Sequence, residues 1–301
     1  MQFQSRYHFT RFAPSPTGFL HRGHILSAIW VWGLADLWKA RVLLRIEDHD
    51  QSRCREEHVS AIREDLAWLG FRWESTPRQS QQVSRYDRFL RQLQISNLAY
   101  PCRCSRKELQ TTLLQQNGSE PRYQGTCRDK GLPWDAPDQG IRIRLPDQQI
   151  SWTDILRGPF TEHPQQQCGD LLARDRQGQW TYQFAVTVDD FVENMDLIIR
   201  GEDLLDSTAR QIQLGRMLGR TTDAQYLHHP LLCDPNGQKL SKRQLSRSIR
   251  SERAEGISPA QMLGEVCVAG GLLTEMQDIT LEDLPSLVGR YLERHGTIGD
   301  L

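Results

Sequence analysis

The first hundred residues combine short apolar stretches with one long apolar run. Residues 7–13 predict a strand, and the PSPTG segment at 14–18 ends it, because two prolines and a glycine continue neither a strand nor a helix. The run at 25–38 is 14 residues long and includes a serine and an aspartate. Since a membrane span needs roughly 20 apolar residues, this run predicts a buried helix that begins near Gly23.

A second strand follows this helix. Residues 41–47 (RVLLRIE) are rich in leucine and β-branched residues, which is typical of a buried strand. Strand, turn, helix and strand in this order form the βαβ unit of a parallel α/β sheet. A further helix is predicted at 55–69, where Val59, Ile62 and Leu66 lie on one face.

The composition changes near residue 100. Residues 100–146 are rich in cysteine, glycine, proline and arginine, so we expect short elements there and treat 100–150 as an insertion. Ser105 and Glu108 form a capping box, and Ser258 begins a later helix as its N-cap. The other predicted elements are strands at 141–145 (with one polar face), 180–187, 196–202 and 226–233, and a helix at 207–218.

Charge and cysteine content narrow the class of protein. Lys and Arg total 37 and Asp and Glu total 38, so the net charge of −1 gives no global attraction to nucleic acid or anionic lipid. A local patch must serve any such partner, and residues 239–253 hold six basic residues and one acidic residue. Seven scattered cysteines do not suggest a disulfide framework, and residues 1–12 do not resemble a signal peptide. We therefore expect a cytoplasmic protein that does not bind membranes.

The first candidate motif is HRGH at residues 21–24, at the mouth of the long helix. Backbone N–H groups and the helix dipole favour an anion there. His21 and His24 are one turn apart and can donate hydrogen bonds to the same phosphate, while Gly23 lets a base or a phosphate approach the backbone. The alternative is a pair of histidines at a helix end that binds no ligand.

The second candidate motif is KLSKR at residues 239–243, just after the turn DPNG. Lysine is a compact charge suited to the oxygens of a transferring phosphoryl group. On its own, such a run is more typical of a solvated basic face.

Together the two motifs, about 215 residues apart, resemble the HIGH and KMSKS signatures of class I aminoacyl-tRNA synthetases. The resemblance implies a Rossmann-like parallel sheet on which the motifs bracket ATP, with Mg²⁺, while an amino-acid carboxylate attacks the α-phosphate. Donors preorganised around developing charge are commonly the largest catalytic term. The resemblance assigns catalysis to His21, His24 and Lys242. It assigns ATP binding to these three together with Gly23, Lys239 and Ser241.

Further blocks narrow the resemblance to glutamyl-tRNA synthetases. They are RFAPSPTG at 11–18, RIED at 45–48, WTYQFA at 180–185, VDD at 188–190 and RGEDLLDST at 200–208. The resemblance runs from residue 8 to about residue 245 and implies a glutamate pocket. The residues implied for that pocket are Arg11, Phe12, Ala13, Pro14, Ser15, Glu47, Tyr182 and Arg200.

A dicarboxylic amino acid needs cations for its carboxylate and an acidic group for its ammonium. The planar, permanently charged fork of arginine suits carboxylate, so the most economical assignment places Arg11 and Arg200 there and Glu47 against the ammonium. The alternative is structural. Arg45, Glu47 and Asp48 would then form an ion-pair cluster at a strand end, and both pocket arginines would pair within the protein.

Cysteines in the insertion are zinc candidates. Cys102 and Cys104 are followed by Cys127, and structural zinc takes four ligands with a preference for thiolates. The residues alone leave the fourth ligand open, although Tyr123 lies four residues before Cys127. A small related family has C-x-C and then Y-x-x-x-C as a zinc site, so the resemblance implies one structural zinc on these four residues. The alternative is three unlinked cysteines. The other cysteines are interpreted as buried, small apolar residues: Cys54, Cys168, Cys233 and Cys267.

The expected domain organisation has four segments. The catalytic domain takes residues 1–99 and 151–245, the zinc-binding insertion 100–150, and a short helical region 246–301. Only 58 residues follow Arg243, whereas an anticodon-binding domain usually needs about 100 or more, so we expect none. A monomer is the expected state.

Length and insertion motif most resemble the glutamyl-Q tRNA(Asp) synthetases, which are catalytic-domain paralogues. That resemblance implies tRNA-independent activation of L-glutamate and transfer of the glutamyl group to the queuosine base of tRNA(Asp). The alternative enzyme is a truncated or discriminating glutamyl-tRNA synthetase that charges a 3′ end. Alternatives from other classes are an inactive, zinc-containing RNA-binding paralogue and a small-molecule nucleotidyltransferase. The motifs depart from the family pattern at Arg243, which replaces a serine, and carry Arg22 at a variable position.

Overall fold

The structure, a computed structural model, describes residues 7–105, 108, 122–232 and 247–296. Its strands are β1 (Phe9–Phe12), β2 (Arg41–Leu44), β3 (Glu74–Ser75), β4 (Ala99–Cys102), β5 (Gly140–Ile143), β6 (Ile150–Asp154), β7 (Gly158–Glu162), β8 (Leu171–Arg174), β9 (Leu197–Gly201) and β10 (Gln225–His229). Its α-helices are α1 (Arg22–Trp38), α2 (Glu56–Trp68), α3 (Val83–Ile95), α4 (Pro164–Cys168), α5 (Tyr182–Val192), α6 (Thr208–Met217), α7 (Ile249–Ala254), α8 (Pro259–Ala269) and α9 (Leu284–His295).

A parallel sheet and a mostly parallel sheet lie side by side at the centre of the molecule. In the first, β2 pairs in parallel with both β1 and β3. In the second, β10 lies between β9 and β6 and is parallel to both, while β7 pairs antiparallel with β6. β1 lies beside β9, where the Asp196 carboxylate accepts hydrogen bonds from the backbone N–H groups of His8 and Phe9. This parallel α/β architecture confirms the predicted fold class.

The long apolar run forms α1, the central helix of the domain. Most of its residues are buried because it packs on β1 and β9 and also against α8 and α9. Gly33 allows α9 to approach closely, since a Cβ at this position would lie 3.0 Å from Val288. The prediction of a buried helix is thereby confirmed. Among the described residues, no helix has both the length and the apolar character that a membrane span needs.

A separate antiparallel sheet contains β4, β5 and β8. Its strands come from both sides of the domain boundary predicted at residue 150. After β5, the chain adds β6 and β7 to the central sheet and then returns with β8 to the antiparallel sheet. The strand predicted at 141–145 ends at Ile143, and its polar face points inward. Arg142 is buried and donates a hydrogen bond to the Asp170 carbonyl at 2.7 Å. The predicted capping hydrogen bonds between Ser105 and Glu108 are present.

The strand predicted at 180–187 is wrong, because α5 occupies this region. Phe184, Ala185 and Val188 of α5 are buried in one apolar cluster, which is helical spacing. The β-branched residues of this segment favour a strand locally, and packing overrides that preference. The helices predicted at 55–69 and 207–218 and the strands predicted at 7–13, 41–47 and 196–202 are confirmed with shorter bounds. The strand predicted at 226–233 is confirmed as β10, which begins one residue earlier and ends at His229. Ser258 caps α8 by accepting from Gln261 N.

Candidate active site and metal centre

A cleft of about 460 Å³ opens at the carboxyl ends of β1, β9 and β10. Its walls include residues 12–14 at the end of β1, Leu231 and Leu232 after β10, the first turn of α1, and Tyr182 at the start of α5. In open α/β sheets, ligands bind at this end of the strands, where the strand order reverses. The cleft is therefore the candidate active site.

The two histidines of the HRGH motif cap the N-terminus of α1. His21 Nδ1 accepts a hydrogen bond from Gly23 N at 3.1 Å, and His24 Nδ1 accepts one from His21 N at 3.2 Å. The ring centroids are 3.9 Å apart, and both rings line the cleft. A ring nitrogen that accepts from an amide carries no proton. Each neutral ring therefore carries its proton on Nε2 and can donate it to a ligand.

Both imidazoles are neutral at physiological pH. Burial, followed by the neighbouring His21 ring, lowers the pKa of His24 to about 3. Burial also lowers the pKa of His21. The two Nε2–H groups and the dipole of α1 form a set of preorganised donors that suits phosphate oxygens.

Buried charges lie next to the cleft. The fully buried Arg45 forms ion pairs with Asp190 at 2.7 Å and with Glu193 at 2.6 Å. Arg11 lines the cleft and donates from Nε to the same Asp190 at 3.1 Å. Glu47 also lines the cleft, 3.9 Å from Arg45. Burial raises the pKa of Glu47 to about 7, although Arg45 and Arg11 oppose this shift.

Within the RIED block, the predicted ion-pair cluster fits Arg45 and includes Glu47, whereas Asp48 is held by hydrogen bonds instead. Arg45 lies within the ion-pair cluster and is not one of the residues that line the cleft. Asp48 accepts hydrogen bonds from the N and Oγ atoms of Ser80, within the 3₁₀ turn Gln79–Gln81. Glu47 differs from both, because it faces the cleft.

Arg200 stands at the end of β9, in the wall of the cleft. Its Nε donates to His228 Nε2 at 3.0 Å, its Nη1 to Gln211 Oε1 at 2.6 Å, and its Nη2 to Thr208 Oγ1 at 2.9 Å. The half-buried Tyr182 lines the same cleft, and burial raises the pKa of its hydroxyl. Arg200 is thus held by protein groups on several sides.

The structure brings most of the predicted site residues to this one cleft. Phe12, Ala13 and Pro14 line it, and so does Gly23. Ser15 is exposed and is not among the residues that form the cleft wall.

The second motif lies outside the described residues, with Lys239, Ser241, Lys242 and Arg243. The chain on each side of it lies next to the first motif. Leu232 lines the cleft, and Ser248 forms an antiparallel bridge with His21. Arg22 forms an ion pair with the buried Glu252 of α7 at 2.5 Å.

The predicted metal ligands lie together in the insertion. The Sγ atoms of Cys102, Cys104 and Cys127 are within 4.8 Å of one another, and those of Cys104 and Cys127 are 3.7 Å apart. Tyr123 Oη lies 3.4 Å from Cys102 Sγ and accepts from Cys127 N at 2.8 Å. A tetrahedral zinc with Zn–S bonds of about 2.3 Å places two thiolates about 3.8 Å apart, so the donor set fits zinc.

Three contacts fix Tyr123 beside the thiols. The Arg142 guanidinium lies over its ring at 3.7 Å, and its backbone N donates to the Cys168 carbonyl at 3.0 Å. Gly169 has a left-handed φ of 68°, and a Cβ there would lie 2.0 Å from the Tyr123 carbonyl oxygen. Of the other cysteines, Cys267 is buried as predicted. Cys54 and Cys168 are half-buried, and Cys233 lies outside the described residues.

Comparison with known proteins identifies the family. Residues 9–283 match the model described as tRNA synthetases class I (E and Q), catalytic domain. The chain belongs to this class I synthetase family. The match confirms the class I resemblance that the two motifs predicted, together with its fold.

Curated relatives of this class I synthetase carry two names. This chain is 37% identical over 292 residues to a glutamyl-Q tRNA(Asp) synthetase of Symbiobacterium thermophilum. The match covers 91% of this chain and 90% of the relative. This chain is also 36% identical to the Nitratidesulfovibrio vulgaris protein of the same name, and that match covers 88% of this chain and 87% of the relative. A glutamate–tRNA ligase of Cupriavidus pinatubonensis is 38% identical over 87% of this chain, but only 57% of that ligase is covered.

Solved structures also place this chain among the glutamate tRNA ligases in fold. A glutamate tRNA ligase from Elizabethkingia meningosepticum, in complex with its amino acid, superposes with a TM-score of 0.77 at 26% identity. The match covers 93% of this chain and 64% of that one. The class I synthetase thus spans less than two thirds of the glutamate ligases it matches and most of the glutamyl-Q relatives.

Sequence reasoning missed two adjacent histidines at the end of β10. His229 lines the cleft, where its Nδ1 donates to the Pro230 carbonyl at 2.8 Å and its Nε2 accepts from Ser27 Oγ at 2.8 Å. Burial lowers the pKa of His229 to about 4. The adjacent His228 is buried and accepts from Arg200. The predicted strand at 226–233 had placed both histidines in its interior. The structure ends β10 at His229, so they lie at the carboxyl end of the strand, where open α/β sheets bind ligands.

Proposed function

We propose that this class I synthetase activates L-glutamate with ATP and transfers the glutamyl group to the queuosine base of tRNA(Asp). The observation that carries the activation step is the composition of the cleft. Two neutral histidine donors stand at a helix N-terminus, in the same cleft as two arginines and a carboxylate. The first set suits phosphate, and the second suits an amino acid with two carboxylates.

Activation joins the α-carboxylate of glutamate to the α-phosphorus of ATP. A carboxylate oxygen forms the new O–P bond while the bond to the pyrophosphate oxygen breaks, and the electron pair leaves with pyrophosphate. The Nε2–H groups of His21 and His24 donate to oxygens on which negative charge grows. Mg²⁺, which the family uses with ATP, would neutralise phosphate charge when bound. ATP binding is completed by Gly23 and, from the second motif, Lys239, Ser241 and Lys242.

Glutamate takes the side of the cleft that carries the buried charges. Arg11 and Arg200 meet carboxylate, since a guanidinium offers paired donors in a plane. Glu47 meets the ammonium, and Tyr182 closes the pocket. Residues 12–14 form the cleft wall at the end of β1.

The acceptor is the part of the proposal that depends on the relatives. Two relatives named glutamyl-Q tRNA(Asp) synthetase match over most of their own length, whereas glutamate–tRNA ligases are much longer than this chain. The names of these two relatives favour transfer to queuosine over charging of a 3′ end. The basic stretch at 239–253 would supply phosphate contacts to tRNA.

The decisive experiment offers labelled glutamate and ATP to two tRNA pools, one from cells that make queuosine and one from cells that do not. We expect label only in the pool that contains queuosine. Equal labelling of both pools would assign a 3′-end glutamyl-tRNA synthetase instead. No label in either pool, together with no glutamate-dependent pyrophosphate exchange, would support an inactive RNA-binding paralogue.

We also propose one structural zinc per chain, held by Cys102, Cys104, Cys127 and Tyr123. Sulfur-rich tetrahedral donor sets favour zinc. The three sulfurs lie within 4.8 Å of one another, and the Tyr123 hydroxyl lies 3.4 Å from the sulfur of Cys102. The metal would link β4 to the segment at residues 123–127. Its role is to stabilise the insertion.

Replacing Gly169 by alanine should remove most of this zinc. The new Cβ would overlap the Tyr123 carbonyl, so the backbone of Tyr123 must move and carry its hydroxyl away from the thiols. Metal analysis after dialysis should give about one zinc in the parent and less than half in the variant. Gly131→Ala is the matched control, because Gly131 has a similar φ of 58° but open space around it. Full zinc in both variants would exclude Tyr123 as a required ligand.

Glutamate affinity should rise with pH until Glu47 is ionised. With a pKa of about 7 in the free protein, Glu47 is mostly protonated at pH 6 and mostly ionised at pH 8. Since only the carboxylate pairs with an ammonium, glutamate should bind about tenfold more weakly at pH 6 than at pH 8. Binding near pH 7 should release protons, which calorimetry in two buffers of different ionisation enthalpy measures.

The Glu47→Gln variant supplies the control for this pH dependence. It should bind glutamate weakly at both pH values, with no proton release. A glutamate affinity that changes with pH equally in parent and variant would show that another group titrates.

A further inference from the structure

Arg200 is held by an ordered set of acceptors. Three of its five N–H groups donate hydrogen bonds to protein acceptors, which are His228 in β10 and Gln211 and Thr208 in α6. Within the part of the chain that the structure describes, this leaves one N–H on each terminal nitrogen for a ligand. Because Arg200 is buried in the cleft wall, its three protein acceptors decide where those two groups point.

The acceptor on His228 exists only in one tautomer. A guanidinium N–H can donate to Nε2 only when that nitrogen carries a lone pair, so the proton of the neutral ring must be on Nδ1. Asp154 Oδ2 accepts from His228 Nδ1 at 2.7 Å, which selects that tautomer. Both side chains are completely buried, so water does not compete for these bonds.

Asp154 is itself fixed by the backbone. Its Oδ1 accepts from Leu156 N and Arg157 N, both at 2.9 Å, and its Oδ2 also accepts from His228 N at 3.0 Å. With the ring N–H, four donors therefore converge on the carboxylate. Each of these positions requires an acceptor, so an amide in its place would set a donor against a donor.

Side-chain amides hold the other end of the guanidinium in a fixed direction. Gln211 Oε1 accepts from Arg200, and Gln211 Nε2 donates to Gln183 Oε1 at 2.8 Å. Gln183 Nε2 then donates to Ser207 Oγ at 2.8 Å. Since arginine is only a donor, it determines the orientation of both amides.

We propose that Asp154 and His228 are positioning residues that aim Arg200 at a carboxylate of the amino-acid substrate. The inference rests on the proposed binding of glutamate in the cleft. Asp154 selects the His228 tautomer, and His228 supplies the acceptor that orients Arg200. This pair therefore determines how well the site binds a substrate carboxylate, although neither residue touches the substrate.

The test compares two replacements of His228 of similar size. Glutamine keeps an acceptor near the former Nε2 position, whereas leucine keeps volume and removes the acceptor. In glutamate-dependent ATP–pyrophosphate exchange, His228→Leu should raise the KM for glutamate about 10- to 100-fold and change the KM for ATP less than about twofold. His228→Gln should restore the KM for glutamate to within about fivefold of the parent.

Asp154→Asn provides a second, independent variant. Its amide must set a donor against either His228 or the backbone N–H groups of the loop after β6, so it should also raise the KM for glutamate selectively. Thermal unfolding of each variant separates this effect from loss of fold.

Equal KM values for glutamate in His228→Leu and His228→Gln would overturn the positioning role, and so would a matched rise in the KM values for both substrates. A parent protein with no glutamate-dependent exchange would instead contradict the proposed function. The two failures are therefore distinguishable.

Discussion

Replacing His24 by alanine is expected to slow glutamate-dependent pyrophosphate exchange about 10²- to 10³-fold. Loss of one preorganised donor at a site of developing charge typically has an effect of this size. His24 is neutral, because burial and the His21 ring lower its pKa to about 3, and its Nδ1 is occupied by the His21 amide. Its proton is therefore on Nε2, from which it can be donated to a ligand in the cleft.

His24→Asn separates the chemical role of this residue from its structural one. Asparagine can keep the acceptor for His21 N, which caps α1, but its amide does not extend to the position of Nε2. The asparagine variant should be as slow as the alanine variant, whereas alanine alone should lose about 0.5–2 kcal/mol of stability with the cap. Near-normal exchange in the asparagine variant would show that His24 only caps the helix.

The local sequence was sufficient to predict an element where that segment alone determines its structure. The apolar run of α1, the proline-rich turn before it and the Ser258 cap each contain their own signal. The segment at 180–187 had no such local signal for a helix. Its β-branched residues favour a strand, and only its contacts with α3 and α6 select a helix. The helix places Tyr182 in its first turn, at the cleft.

The motifs predicted which residues gather at the site but not how they are held. Arg11, Glu47 and Arg200 lie in the cleft as the resemblance implied. The Asp154–His228 pair that orients Arg200 joins residues 74 positions apart, and neither lies in a matched block. Such a contact exists only after the strands have assembled, so no local pattern encodes it.

The RIED block shows why a motif does not assign a role to each of its residues. Glu47 faces the cleft, whereas Arg45, two residues earlier, points into the buried cluster. The backbone there stays extended, with Arg45 N and Glu47 N donating to the carbonyls of Phe12 and Pro14. One short segment thus supplies both a residue that lines the cleft, Glu47, and a residue of the buried ion-pair cluster, Arg45.

Replacing Arg45 by methionine is therefore expected to lower the free energy of unfolding by about 3–5 kcal/mol at pH 8. Removing one partner from a buried ion pair leaves the others uncompensated, which accounts for a loss of this size. Burial alone would lower the pKa of Arg45, but the carboxylates of Asp190 and Glu193 raise it well above its usual value. Arg45 thus stays charged, and methionine fills its volume without replacing its charge.

Arg41→Met is the matched control, because Arg41 begins β2, which ends directly before Arg45, and pairs with Glu74 on the surface. Exposed ion pairs contribute little to stability, so urea unfolding should separate the two variants clearly. Arg45 and Arg11 lower the pKa of Asp190 against the effect of burial, so without Arg45 this pKa should rise. The loss of stability should then be smaller at pH 5 than at pH 8, since the unpaired carboxylates can take up protons. An equal loss at both pH values would mean that Arg45 stabilises the fold by packing rather than by charge.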